Sequence, residues 1–269
     1  MLNLEFFSKN RRMILDLFLL SNVSFMAVDI WIAHSYNNFH HTGEWVPFWY
    51  SIIATIILTL TGLLTKFNPL ATLHKVSGYT MGLTGVVIGF VGLYFHLESQ
   101  FFQEWTLSSL IYTAPFMAPL AFSGQGFLLM LNRSKLDGND WNRWVLFLAG
   151  WGALGNLGLA LADHAQNGFW HPTEWIPVIF GAFAVSSLIF ATWYEKMNLA
   201  FLKYLIIVML LQIGVGVLGF VLHVYANLGP NLDFVYEKFV YGAPAFAPLL
   251  FADVAALALL GLLGIKTES

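Results

Sequence analysis

Apolar runs of about 20 residues, the length an α-helix needs to cross a hydrocarbon core of about 30 Å, recur along the whole chain. Eight stand out, at approximately residues 13–34, 47–65, 76–96, 109–131, 144–163, 175–194, 204–223 and 241–265. Short polar joints separate them and leave no room for a separate soluble domain. The pattern predicts an all-α integral membrane protein of eight transmembrane helices. Lys9, Arg11 and Arg12 precede the first run in the manner of a secretory signal peptide. The run is long and no small-residue cleavage site follows, so it is expected to be retained as a span.

The joints differ in charge. Lys9, Arg11, Arg12, Lys66, Lys75, Arg133, Lys135, Arg143, Lys196, Lys203 and Lys266 fall on the side of the N-terminus, and Lys238 falls opposite. Basic joints stay in the cytoplasm, so both termini are expected there, in a bacterial-type inner or plasma membrane. Joints 35–46, 97–108, 164–174 and 224–240 then face the periplasm or exterior. Trp45, Trp49, Trp105, Trp170 and Trp175 cluster near them, as an interfacial aromatic belt does.

The chain also repeats itself. AHSYNNFHHTGEWVP at 33–47 matches DHAQNGFWHPTEWIP at 163–177, GFVGLYFH ending at His96 resembles GVLGFVLH ending at His223, and YTAPFMAPLAF from Tyr112 resembles YGAPAFAPLLF from Tyr241. The offset stays between 127 and 130. This predicts a tandem duplication of a four-helix unit, residues 1–135 and 136–269, both halves having the same orientation because four is even.

That parity gathers chemistry at one depth. His34, His41, Glu44 and His96 recur as His164, His171, Glu174 and His223, all on the outer side. His40 and His74 have no counterpart, and His74 falls in a cytoplasmic joint. Interfacial polar residues that cap helix ends would explain a single histidine, but ionisable groups retained twice near a membrane point to function. Three imidazoles and a carboxylate per half suit a non-haem Fe, Cu, Mn or Zn ion. The alternative is b-type haem on paired axial ligands, His34 with His96 and His164 with His223. Gly89 and Gly92 before His96, and Gly216 and Gly219 before His223, would clear a groove for a flat macrocycle, although small residues also serve close helix packing.

Composition narrows the classes. The 269 residues are 58% hydrophobic and 10% charged, with 12 Lys and Arg against 15 Asp and Glu. Mean hydropathy is +0.70 and the pI about 6.2, with no basic stripe, so nucleic acid is not expected as a partner. No Gly-rich phosphate loop is present. With 0 Cys, disulfides, thiolate metal sites, iron–sulfur clusters and covalently attached haem are excluded.

Tyr112, Pro115 and Pro119 are expected to open the fourth helix, and Tyr241, Pro244 and Pro248 the eighth, each proline freeing carbonyls that must find partners. Tyr112, Tyr241 and Asp253, an acid about half-way along the last span, are the catalytic candidates. Asp29 and Asp163 are candidate acceptors for a ligand imidazole. The HxxxH and HxxHH patterns of fatty-acid desaturases and alkane hydroxylases are absent. The eight-span plan with paired His resembles that of haem A synthase in arrangement, without that family's sequence signatures, so no residue role is carried across. The expected function is redox chemistry at a metal on a small or lipid-soluble substrate. Alternatives are a b-type cytochrome drawing electrons from quinol, a non-catalytic subunit working with other membrane subunits, or a transporter.

Overall fold

The computed structural model describes residues 4–136, 138–194, 197–229, 234–263 and 265. Lys196, Lys266 and part of the joint 224–240 lie outside them. The chain is all-helical: α1 (Leu4–Ser35), α2 (Trp45–Leu64), α3 (Thr72–Glu98), α4 (Leu107–Tyr112), α5 (Leu120–Arg133), α6 (Gly138–Gln166), α7 (Trp175–Trp193), α8 (Leu199–Leu228), α9 (Val235–Val240) and α10 (Leu249–Leu262). Among the described residues six helices are long and apolar enough to cross a membrane: those of α1, α2, α3, α6, α7 and α8. They carry exposed Leu, Ile, Val and Phe along their outward faces, which suits a lipid surround.

The two remaining expected spans differ from the sequence reading. Span 109–131 is interrupted: α4 ends at Tyr112, a turn runs through Pro115, and α5 begins after Pro119. Span 241–265 likewise reduces to a turn through Pro244 followed by α10, beginning after Pro248. Two prolines four residues apart each lack the N–H that would continue the ladder and clash with the preceding turn, so the helix breaks. Tyr112 and Tyr241 therefore lie before the break and share no helix face with the prolines.

The broken segments pack on glycine. α3 lies most extensively against α5, and α8 against α10. A Cβ on Gly89 would sit 2.7 Å from Ser123 N and 2.8 Å from the Pro119 carbonyl, and one on Gly216 would sit 2.8 Å from Ala252 N and 2.9 Å from the Pro248 carbonyl. The same holds at Gly92 and Gly219, each of which would place a Cβ 2.7 Å from the Cβ of Pro119 or Pro248. The glycine faces expected to clear a macrocycle groove are thus filled by the backbone and proline rings of the broken segments, the close-packing role of small residues in membrane helices. Gly89→Leu or Gly216→Leu is expected to cost about 1–3 kcal/mol, because backbone cannot yield as a side chain can. Gly124→Leu, whose Cβ would meet nothing within 4 Å, should cost far less. Unfolding temperatures in detergent compare the three.

A large apolar cluster built on Leu15, Leu19, Leu146, Leu188, Leu205, Met209 and Leu262 joins the first helix to α6, α7, α8 and α10. One group is out of keeping with it. Asp16, His74 and Arg133 have side chains only 1–2% exposed and meet at the end of the bundle where α1 begins. Arg133 Nη1 donates to Asp16 Oδ1 at 2.5 Å, Nη2 lies 2.9 Å from His74 Nε2, and Nε donates to the His74 carbonyl at 3.0 Å. Asn132 Nδ2 donates to Asp16 Oδ1 at 2.8 Å. His74, expected in a polar joint, is in the first turn of α3, and Arg133, expected as a basic joint residue, is enclosed.

Candidate functional site

His34 lies in the last turn of α1, at the far side of the bundle. The chain then turns back through a left-handed stretch, Asn38 at φ 58° and Phe39 at φ 51°. Asn tolerates this region, whereas a Phe there is strained and needs support. The support is a hydrogen bond from Phe39 N to the His34 carbonyl at 3.0 Å, and a Trp45 ring stacked on Phe39 at 4.2 Å. His41 then caps a single 3-10 turn, Thr42–Glu44, by accepting the Glu44 N–H at its carbonyl. The turn brings Glu44 back over α1.

The segment after α6 is built the same way. Gly168 at φ 67° and Phe169 at φ 52° make the reversal, Phe169 N donates to the His164 carbonyl at 3.0 Å, and Trp175 stacks on Phe169 at 4.0 Å. His171 caps the 3-10 turn Pro172–Glu174.

The result is a His–Glu–His cluster at each place. Glu44 Oε2 lies 3.5 Å from His34 Nδ1, and Glu174 Oε2 lies 3.7 Å from His164 Nδ1. These distances exceed a firm hydrogen bond. Both carboxylate oxygens are buried with no hydrogen-bond partner, while Glu44 Oε1 accepts from Asn37 Nδ2 at 2.8 Å. The His34 and His96 rings have centroids 6.3 Å apart at 78°, and the His164 and His223 rings 6.3 Å apart at 89°.

His96 Nδ1 donates to the Pro115 carbonyl at 2.9 Å, and His223 Nδ1 to the Pro244 carbonyl at 2.9 Å. Those are the carbonyls that Pro119 and Pro248, four residues on, have no N–H to satisfy. A donor at Nδ1 fixes the tautomer of the neutral ring, leaving the Nε2 lone pair as the available ligand atom.

Of the expected ligands, His34 and His96, and His164 and His223, come together. Glu44 and Glu174 sit beside an Nδ1, the orienting role expected of Asp29 and Asp163. His41 and His171 are exposed, serving through their backbone, and His41 lies against His40 at 5.7 Å between rings. Among the described residues no three of His, Asp and Glu are grouped as ligands of one ion. Tyr112 and Tyr241 are exposed, and Tyr241 packs on Tyr36 at 5.7 Å. Asp253 accepts from Asn22 Nδ2 at 2.9 Å, tying α10 to α1.

Sequence reasoning missed the proline carbonyls as imidazole acceptors and the paired Phe–Trp stacks. Both had a signal: the repeated APxxAP motif, with its second proline four residues after the first, and Phe and Trp six residues apart in each copy. Comparison with known proteins finds no matching family model, no matching characterised protein and no matching solved structure.

Proposed function

We propose that the chain is an integral membrane redox protein made of two tandem four-helix units, residues 1–135 and 136–269, each holding one metal centre between two imidazoles at the outer side. The observation that carries this is the 6.3 Å ring separation found in both His pairs. At that spacing the two imidazoles of each pair would both be near enough to hold one metal. The group completed by two protein imidazoles is a b-type haem. His34 with His96, and His164 with His223, would hold it, and it would supply one-electron transfer. The Pro115 and Pro244 carbonyls hold the His96 and His223 rings in the ligating tautomer, and quinol in the bilayer is the electron source that suits this location.

A second reading, a non-haem Fe, Cu or Zn ion in each half, is favoured by the buried Glu44 and Glu174 oxygens that lack partners. A cation between carboxylate and imidazole would satisfy them, and two imidazoles with one carboxylate form a known iron ligand set. Absorption and metal analysis of detergent-purified protein separate the readings. A sharp α-band on dithionite reduction, with about two haems per chain, is the expected result. Stoichiometric metal without that band supports the ion, and less than about a tenth of an equivalent of either overturns both.

Sidedness rests on the Lys and Arg bias. A reporter fused after Ser269 is expected to be active only in the cytoplasm. Periplasmic activity would place the clusters on the inner side.

A further inference from the structure

In the middle of the α6–α7–α8–α10 bundle is a cavity of about 10 Å³, lined by Asn156, Gln212, Gly181, Met209, Phe251 and Val254, among others. That is about the least room a water needs. Asn156 is 8% exposed and Gln212 2%. Asn156 Nδ2 and Gln212 Oε1 are both buried with no hydrogen-bond partner. Gln212 cannot be turned round to remove the deficit, because its Nε2 donates to the Phe180 carbonyl of α7.

An unpaired donor and an unpaired acceptor on the wall of one cavity are each costly inside an apolar bundle. We infer that the cavity binds one ordered water, which accepts from Asn156 Nδ2–H and donates to Gln212 Oε1. Water fits because it accepts and donates at once, whereas a cation would face the Asn156 N–H.

The sequence offset gives an independent reason. The positions matching Phe180 and Gln212 in the first half are Tyr50 and Gly85, and the Tyr50 hydroxyl donates to the Met81 carbonyl at 2.7 Å, lying 2.7 Å from where a Gly85 Cβ would be. A covalent hydroxyl fills that interior. The second half has Phe180 without a hydroxyl and a Gln212 side chain over the same ground, whose Oε1 is left without a donor. The water would lie between the helices that carry His164 and His223. Along α6, eight residues separate Asn156 from His164, about 12 Å at 1.5 Å per residue.

A structure of the full chain in nanodiscs, at a resolution that shows ordered water, tests this. The expected result is one density peak within hydrogen-bonding distance of both amides, lost in Gln212→Met, which keeps the bulk and removes the acceptor. An empty cavity, a direct bond between the two amides, or a peak unchanged in Gln212→Met would each overturn it. Should the variant fail to fold, the wild-type density decides alone.

Discussion

Arg133→Ala is expected to lower the unfolding free energy by about 3–5 kcal/mol, the cost of leaving one member of a buried ion pair without its partner. Asp16 and His74 have side chains 2% and 1% exposed, so water cannot take over from the guanidinium. The opposite expectation holds when the whole group is exchanged. At the repeat offset, Asp16, His74, Gly78, Asn132 and Arg133 correspond to Leu146, Phe201, Leu205, Gly261 and Leu262. Leu146, Leu205 and Leu262 are core residues, with Phe201 packed on them. Leu205 supplies the bulk that the Arg133 stem provides over Gly78, where a Cβ would lie 2.7 Å from Arg133 Cγ. The chain thus carries its own apolar substitute for the network. Copying all five residues into the first half should leave stability near the wild type or above it, as apolar replacement of buried ion pairs often does. Thermal or denaturant unfolding in one detergent compares Arg133→Ala with the fivefold variant. If the fivefold variant is as weak as the single one, apolar packing does not replace the charges, and the cluster has a role other than holding α1, α3 and α5 together.

This cluster shows where a sequence stops being readable. Asp16, His74 and Arg133 are 58 to 117 residues apart, and nothing local separates an enclosed Arg from a basic joint residue. The long helices were readable because apolar runs of membrane length need no tertiary partner to form. Spans four and eight misled because their runs are as apolar as the others, while the paired prolines, expected to open a continuous helix, act as breaks. At the candidate site the repeat identified which histidines pair. It could not assign Glu44 and Glu174, because their place beside an Nδ1 depends on the left-handed turns at Phe39 and Phe169, a backbone choice that side-chain identity does not announce. His41 and His171, expected as ligands, are exposed here and accept the Glu44 and Glu174 N–H at their carbonyls, a backbone role that a repeated side chain does not announce.

Disabling one His pair is expected to remove half of the bound group and leave the rest. Each pair is assembled within one proposed half: His34 lies beside Glu44 and His96 donates to the Pro115 carbonyl, while His164 lies beside Glu174 and His223 donates to the Pro244 carbonyl. The halves do touch at this end, through Tyr36 on Tyr241, Tyr236 Oη with Ser35 Oγ at 2.8 Å, and Gln166 Nε2 donating to the Ile111 carbonyl at 2.8 Å. None of those contacts involves an imidazole, so they brace the helix ends without joining the two sites. His34→Ala with His96→Ala should therefore halve the reduced α-band, or the bound metal under the ion reading. His164→Ala with His223→Ala should do the same, and the fourfold variant should abolish it. Loss of one of two axial imidazoles is enough to remove a low-spin spectrum, so each single variant should already approach its double. The spectrum remaining in each double variant then belongs to one centre, and a shift in its band or potential would measure how strongly the bracing contacts couple the pair. If either double variant loses the whole signal while the protein stays folded, the four imidazoles form one shared centre.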